Sequence, residues 1–141
     1  MEITTEIKEK LITEAKHALQ NCYPKDSIYK YAASVLTQSG NMYSAANYGS
    51  PTQSLTLHGE QCALVHARAH GEETIVAIAT VSNEILKEDE FTSPCHMCKQ
   101  LLWESRLQSN TPLLIILSNN FGGTKEVYID ELMPLPWPSK L

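Results

Sequence analysis

His58-Gly59-Glu60 and, after 33 further residues, Pro94-Cys95-His96-Met97-Cys98 are the two most informative stretches of the sequence. Together they offer an imidazole and two thiols, from His58, Cys95 and Cys98, which are side chains that Zn²⁺ prefers. Three protein ligands leave the fourth position of a tetrahedral zinc ion open for water, as in catalytic sites. Glu60 is then not needed as a ligand and can move protons. The alternative is a closed zinc site that only braces the fold, but no fourth ligand has a suitable spacing.

The second stretch is expected to begin a helix. Cys95 and Cys98 are three residues apart, so they share one helix face. Pro94 suits the first helical turn, where its missing N–H is not needed. Residues 94–108 are predicted to be helical, with three leucines on the buried side: Leu101, Leu102 and Leu107. A helix N-terminus also stabilises thiolates through its unpaired N–H groups and its dipole.

The two stretches, in this order, resemble the zinc-binding signature of cytidine deaminases, and specifically their compact, single-domain form. Thr92–Gln100 is similar to the family run S-P-C-x-x-C-R-Q, and the C-terminal Glu131–Pro134 is similar to E-L-L-P. The resemblance covers nearly the whole chain. It implies a zinc-dependent aminohydrolase acting on cytidine or a similar nucleoside or base. Glu60 would be its catalytic residue, shuttling protons during hydrolytic deamination.

Three positions near the metal motif depart from the compact enzymes. Those enzymes usually carry a cysteine as first ligand and an arginine just after the catalytic glutamate, where this chain has His58 and Gln61. The two changes agree electrostatically, because a third thiolate would make the site about one charge more negative and an arginine would offset it. His58 also matches the first ligand of the larger cytidine deaminases and of deoxycytidylate deaminases. The third change is Gly59, where alanine is usual.

The resemblance also implies substrate-binding positions, namely Tyr29, Asn47, Gly59 and Trp137. Tyr29 falls where the family has a pocket phenylalanine, and Asn47 is the asparagine of an N-x-E segment that contacts the ribose. The glutamate of that segment is replaced by Gly49, unless a neighbour such as Ser50 or Gln53 takes over its contact. Ordinary cytidine is therefore expected to be a poor substrate. Blasticidin S deaminase shares the loss of this glutamate, so a modified nucleoside or another amino-heterocycle is an alternative substrate.

The C-terminal segment bears on assembly. In the family the corresponding segment ends in a phenylalanine that caps the base in a neighbouring subunit, and Trp137 occupies that place with a larger stacking face. The resemblance therefore implies a homo-oligomer, specifically a tetramer, with active sites shared between subunits. The alternative is that Trp137 packs on its own chain.

Residue periodicity predicts a layered α/β fold. Helical spacing or strand patterns are found at residues 3–20, 31–37, 42–47, 58–69, 74–82, 112–118, 126–129 and 130–133. The second of the helices is expected to stop at Gly71, a typical C-terminal breaker. This order of elements predicts a single domain, residues 1–141, in which a central sheet carries helices on both faces. It is also the order of the cytidine deaminase fold, a three-layer α/β/α sandwich with a mixed sheet.

Composition restricts the partners. The chain has 141 residues, 11 Lys and Arg against 16 Asp and Glu, and a net charge of −5. Nucleic-acid binding depends on clustered basic residues, so no nucleic-acid partner is expected, only a small-molecule nucleoside or base. No apolar run approaches membrane-spanning length, and a cytoplasmic location is expected. The four cysteines do not suggest a disulfide framework; Cys62 is expected in the core and Cys22 in a loop or at a helix end.

Other candidate residues have ordinary interpretations. His66 and His70 are four residues apart and could bind a metal, but a partly exposed helix face explains them. His96 lies between the two cysteines and is turned away from their face, and Trp103 has the spacing of a core residue. Two classes of function therefore remain, a zinc aminohydrolase and a non-catalytic, zinc-braced binding or assembly protein. Glu60 discriminates between them, since a scaffold gains nothing from a carboxylate beside an open zinc position.

Overall fold

The structure, a computed structural model, describes residues 1–141 and contains three helices and five strands. The elements are α1 (Thr5–Leu19), β1 (Tyr31–Thr37), β2 (Met42–Ala46), α2 (Gly59–Ala69), β3 (Ile75–Ser82), α3 (His96–Ser109), β4 (Leu114–Ser118) and β5 (Thr124–Tyr128). Short 3-10 turns cover Gln53–Leu55 and Ile129–Leu132. Each element expected from the sequence is present, with ends that differ by a few residues at most.

The five strands form one mixed sheet in the order β2-β1-β3-β4-β5. β3 and β4 are parallel, and the other neighbouring pairs are antiparallel. A parallel pair needs a long crossover connection, which α3 provides. β1 and β2 form the expected hairpin.

Helices cover both faces of this sheet, because alternate residues of each central strand point to opposite sides. Ile78 and Ile115 pack on one side with residues of α2 and α3, such as Ala63 and Leu102. The intervening residues pack on the other side with α1: they include Ala77, Ala79 and Ile116 beside Leu11. All eight residues of β3 are buried, as expected for a strand covered on both faces. The predicted three-layer α/β/α sandwich is confirmed.

The start of α3 differs from the expectation. Cys95 is the N-cap residue, with an extended backbone (φ −68°, ψ 170°), and the helix begins at His96. Pro94 therefore lies outside the helix and not in its first turn. The buried side is also shifted, since Leu101 is 40% exposed while Leu102 is fully buried. Adjacent helical residues are about 100° apart, so Leu101 and Leu102 cannot both face the core.

The prediction for Cys22 is confirmed and that for Cys62 was wrong in detail. Cys22 follows α1, as expected for a helix-end thiol, and it is also buried, with 1% of its surface exposed. Cys62 lies on α2 and is only half-buried. All four cysteines are free.

Trp103 and the two helix histidines lie as expected. Trp103 is a core residue, and its indole N–H donates to the carbonyl oxygen of Pro138 at 2.7 Å. This bond holds the C-terminal tail against α3. His66 lies on α2 and His70 is its C-cap residue; both are exposed and contact the ring of Tyr43. None of the helices is long and apolar enough to cross a membrane.

Candidate active site

The N-termini of α2 and α3 meet at the end of the sheet where β1 begins and β3 finishes. The strand register marks this end, since Tyr31 lies opposite Ser82. His58 and Cys95 are the N-cap residues of the two helices, and both have extended backbones. Helix N-termini carry unpaired N–H groups and partial positive charge, which stabilise nearby anions such as thiolates.

His58, Cys95 and Cys98 form a set of metal donors. Their ligand atoms all lie within 4.8 Å of one another. His58 Nδ1 is 3.2 Å from Cys95 Sγ and 3.4 Å from Cys98 Sγ. Ordinary Zn–N and Zn–S bond lengths place the nitrogen and sulfur of a tetrahedral site about 3.5 Å apart. The donor set therefore fits zinc, whereas His96 is exposed and is not part of the cluster.

Gln61 holds the first of these helices in place. Its side-chain oxygen accepts a hydrogen bond from the backbone N–H of His58 at 2.6 Å. This is the reciprocal half of a capping box, which fixes the entry of a chain into a helix. Where the compact family members carry an arginine, this chain thus has a residue that positions the first metal ligand.

Glu60 lies in the first turn of α2 and is 5% exposed. Burial raises the pKa of its carboxyl group, and a hydrogen bond with Cys98 acts in the opposite direction. Burial, with Glu60 and Cys95 nearby, also raises the pKa of the Cys98 thiol. Two acidic groups, Glu60 and Cys98, are therefore packed together in a place where their ionised forms need a cation. This chemistry independently supports a metal at the donor set.

Gly59 explains how closely α2 approaches the sheet. A Cβ at this position would lie 2.8 Å from Cα of Ala32 and 3.0 Å from the carbonyl oxygen of Tyr31. Both neighbours are backbone atoms of β1, which cannot move aside cheaply. Gly59 is buried beneath the site and does not line its cavity, so its position supports packing and not a substrate contact.

A cavity of about 810 Å³ opens above the metal donors. Its inner end is formed by His58, Glu60 and Cys95, and its walls come from the segments around β1, β2 and the end of β3. This volume lies within the usual range of small-molecule sites, about 300–1,000 Å³. A buried carboxylate and a set of metal donors therefore face a space large enough for a nucleoside.

Two of the substrate-binding residues expected from the sequence line this cavity. Tyr29 lies there with its side chain largely exposed. Asn47 lines it as well, but its amide is already engaged. Its oxygen accepts from the Tyr31 backbone N–H at 3.0 Å, and its nitrogen donates to the Tyr29 carbonyl at 3.4 Å. Asn47 thus shapes the wall in addition to any contact with a ligand.

Gly49 packs closely against the Tyr23–Pro24 segment. Its N–H donates to the Tyr23 carbonyl oxygen at 2.6 Å. A Cβ there would lie 3.0 Å from this same oxygen and 3.3 Å from Cδ of Pro24. The Tyr23–Pro24 segment therefore fills the space where a glutamate side chain at this position would begin. Ser50 and Gln53, the two residues that could replace the missing glutamate contact, both line the cavity.

Trp137 does not line the cavity of its own chain. Its ring is 79% exposed, while its carbonyl oxygen accepts a hydrogen bond from Gln100 Nε2 at 2.8 Å. The tail thus runs along α3 with the indole directed away from the core. Within this chain the Trp137 side chain is therefore exposed and is not packed against its own core.

Tyr31 and Glu84 are cavity residues that the sequence did not single out. The Tyr31 hydroxyl donates to Glu84 Oε1 at 2.5 Å. Burial, followed by the hydrogen bond to Glu84, raises the pKa of Tyr31 to about 12. The phenol therefore stays protonated and donating at neutral pH. Glu84 lies in the loop after β3, and no sequence pattern around it indicates that this residue faces the cavity.

The sequence of this chain matches a known protein family. Residues 5–111 match the family described as the cytidine and deoxycytidylate deaminase zinc-binding region. The chain belongs to this family. The match includes the whole metal donor set and Glu60, so the expected family resemblance is confirmed.

Individual proteins similar to this chain are cytidine deaminases. The chain is 29% identical over 126 residues to a cytidine deaminase of Sporosarcina psychrophila, covering 89% of this chain and 88% of the relative. It is 36% identical over 97 residues to a cytidine deaminase of Photorhabdus laumondii, covering 67% of this chain but 29% of that longer protein.

Solved structures show the same fold. A Burkholderia pseudomallei cytidine deaminase superimposes with a TM-score of 0.77 at 26% identity, covering 92% of this chain and 98% of that one. A Mycobacterium tuberculosis cytidine deaminase at 21% identity has a TM-score of 0.73, covering 92% of this chain and 96% of that one.

Proposed function

We propose that this family member is a zinc-dependent hydrolase that removes the amino group of cytidine or of a similar cytosine-like nucleoside or base, releasing ammonia. The observation that carries this conclusion is Glu60, a buried carboxylate beside a three-ligand metal set that faces an open cavity. A structural zinc site is normally closed by a fourth protein ligand. A zinc-braced scaffold also has no use for a buried carboxylate whose ionised form is costly.

The residues divide the reaction between them. His58, Cys95 and Cys98 hold the zinc, which when bound supplies the Lewis acidity that brings the ionisation of a water molecule towards neutral pH. Glu60 would take one proton from the attacking water and deliver it to the ring nitrogen, and it would then carry the second proton of that same oxygen to the departing amine, which leaves as ammonia. A positioned general acid–base of this kind contributes about 10²–10⁴ in rate. Burial raises the pKa of the Glu60 carboxyl group above its ordinary value, which is the direction expected of a carboxyl group that must also donate a proton.

The test separates metal binding from catalysis. Glu60→Gln is expected to keep about one zinc per chain and to lose at least about 100-fold in kcat, because it removes the proton carrier and no ligand. Cys95→Ala is expected to lose zinc and activity together. Cys62→Ala is the matched control, since this half-buried thiol lies outside the donor set. Metal analysis and ammonia release measure the two properties. Full activity in Glu60→Gln would contradict the proposed proton transfer by Glu60. Full zinc content in Cys95→Ala would contradict the assignment of Cys95 as a zinc ligand.

A modified nucleoside is the second candidate substrate. It is favoured by Gly49, which leaves the cavity without the family's ribose glutamate at that position. Ammonia release from cytidine, cytosine and blasticidin S compares the two candidates directly. The Gly49→Glu variant is a poor rescue, because the Tyr23–Pro24 segment would have to move.

We also propose that the protein works as a homo-oligomer, a tetramer in the family pattern, in which Trp137 covers a neighbouring subunit's cavity. The proposal is supported by the tail, where Leu135 and Trp137 are exposed while backbone contacts hold the chain on α3. The free cysteines support the expectation of a reducing, cytoplasmic environment. The net charge of −5 continues to favour a small-molecule partner over a nucleic acid.

A further inference from the structure

Glu84 is fixed in the cavity from three directions. Its backbone N–H donates to Ser82 Oγ at 3.2 Å, and its carbonyl oxygen accepts from Asn120 Nδ2 at 2.5 Å. Its carboxylate accepts from the Tyr31 hydroxyl at 2.5 Å. Because backbone and side chain are both held, little conformational entropy remains to be lost when a ligand binds. Glu84 is therefore a preorganised hydrogen-bond acceptor.

The acceptor capacity of Glu84 is not used up by these contacts. A carboxylate has roughly four lone-pair sites, and Tyr31 can donate only one proton. The remaining sites belong to a side chain that lines the cavity together with Glu60. Glu60 serves the proton transfers at the metal end of the cavity. Glu84 is the other carboxylate of the cavity, and it is available to bind the part of the substrate that lies away from the metal.

The charge of the cavity points in the same direction. Its sixteen lining residues include Glu60 and Glu84 but no lysine or arginine. A phosphate group would meet like charge with no cation to pair with, and an uncompensated anion in a partly desolvated site is costly. A hydroxyl or an ammonium group would instead find a fixed anionic acceptor, and hydrogen bonds to charged groups are the stronger ones.

We propose that Glu84 is a specificity-determining residue of this deaminase: it accepts a hydrogen bond from a hydroxyl or ammonium group on the substituent of the ring and excludes phosphorylated substrates. The proposal rests on the proposed function. It also changes the expectation for cytidine, because a carboxylate from the loop after β3 takes the place of the one that Gly49 cannot supply. Neutral or cationic nucleosides are then the substrate class, and nucleotides are not.

A purely structural role for Glu84 gives different results. In that case the Tyr31–Glu84 bond only ties the loop to β1, and its loss affects every substrate equally. Glu84→Gln distinguishes the two roles, because the amide oxygen still accepts from Tyr31 while the negative charge is removed. Glu88→Gln is the matched control, since Glu88 lies in the same loop, is exposed and does not line the cavity.

The first measurement compares cytidine with cytosine, which lacks the sugar. Glu84→Gln is expected to lower kcat/KM for cytidine roughly ten- to a hundredfold, mainly through KM, and to leave cytosine unchanged. Glu88→Gln is expected to change neither. Blasticidin S is included so that a loss confined to this amine-bearing compound identifies an ammonium contact and a loss for cytidine identifies a hydroxyl contact. Equal losses for cytidine and cytosine, or no loss, would overturn the proposal.

The second measurement tests exclusion of phosphate. Wild type is expected to use cytidine monophosphate at least about 100-fold less efficiently than cytidine, and Glu84→Gln is expected to narrow this difference. Comparable turnover of the nucleotide and the nucleoside by wild type would refute this half of the proposal.

The third measurement needs no turnover and separates this proposal from the proposed function. Uridine and uracil, the products, are titrated into zinc-loaded wild type, Glu84→Gln and Glu88→Gln by calorimetry. Preferential binding of uridine in wild type and Glu88→Gln, lost in Glu84→Gln, supports the role of Glu84 even if no compound of the panel is deaminated. Equal uridine binding by all three proteins refutes it even if cytidine is deaminated. Thermal unfolding of each variant establishes that it is folded.

Discussion

At the scale of single residues, Gly59 shows how tightly the metal site is built onto the sheet. Its position between the first zinc ligand and Glu60 allows α2 to touch the backbone of β1. A residue with a side chain would push both functional neighbours outward. The packing at Gly49 is less severe, since a Cβ there would lie 3.0 Å from the carbonyl oxygen of Tyr23, a contact that is tight but above the distance that forces a shift.

Gly59→Ala is therefore expected to be harmful, even though alanine is the usual residue at this position in the family. The added Cβ would lie 2.8 Å from Cα of Ala32, and overpacking of this kind typically costs about 1–3 kcal/mol. Thermal unfolding of the zinc-loaded variant measures the loss, and zinc content is expected to fall because His58 shifts.

The control is Cys62→Ala, which lies three residues further along the chain in α2 and adds no atom. An unchanged melting temperature in Gly59→Ala would mean that α2 can move away from β1 without cost.

At the scale of elements, Glu72 connects the β1–β2 turn to the end of α2. Its carboxylate accepts from Asn41 Nδ2 at 2.7 Å and from Ser39 Oγ at 2.7 Å. These hydrogen bonds, with that from Asn41 the larger effect, lower the pKa of Glu72. The ionised form is thus the one that stabilises the fold.

The sign of the pH dependence follows from this lowered pKa. The contribution of Glu72 is complete above the pKa of the unfolded chain, about 4.3, and is lost as pH falls through the lower pKa of the folded protein. Glu72→Gln is expected to have a lower melting temperature than wild type at pH 7, with a difference that shrinks below about pH 4.

Glu73→Gln is the matched control. Its only ion pair, with Arg68 at 3.3 Å, is largely exposed, and exposed pairs contribute little. A difference between wild type and Glu72→Gln that persists unchanged at pH 3 would contradict this account.

The elements themselves were predictable because their signals are local. Period and composition identify β3 as a buried strand, and the Cys95–Cys98 spacing identifies a shared helix face. The errors concern shifts of one or two residues: Leu101 is exposed while the adjacent Leu102 is buried, and the helix begins at His96, two residues after Pro94. Sequence spacing does not resolve a shift of this size.

The substrate end of the site was less predictable because it depends on distant pairs. Tyr31 and Glu84 are 53 residues apart and meet only when β1 and β3 pair. In the same way, Tyr23 leaves little room for a side chain at position 49, and no sequence motif indicates this contact. The metal residues were found because their chemistry restricts them to a few residue types at fixed spacings.

At the scale of the whole molecule, the C-terminal tail is notable because Leu135 and Trp137 are exposed and lie outside the hydrophobic core. Trp137 is 79% exposed, and its ring is suited to stacking on a base. Trp103 and Gln100 hold the tail backbone, so its direction is set before any second subunit binds.

Trp137→Ala is accordingly expected to raise KM for the substrate roughly two- to tenfold, as appropriate for the loss of one aromatic contact. Phe121→Ala is the control, because this aromatic is also well exposed but lies in the turn between β4 and β5. Light scattering of wild type at micromolar concentration is expected to give an oligomer. A monomer whose kinetics do not respond to Trp137→Ala would rule out a shared site.

The separation of Glu84 from the metal ligands along the chain has a consequence for divergence and engineering. The segment around Glu84 is anchored at Ser82 and Asn120, in the first part of the loop that later leads to the metal ligand Cys95. Its sequence can therefore change, or be exchanged with that of a relative, while the reaction chemistry is inherited intact. New substrate preferences in this scaffold are most accessible through that single loop.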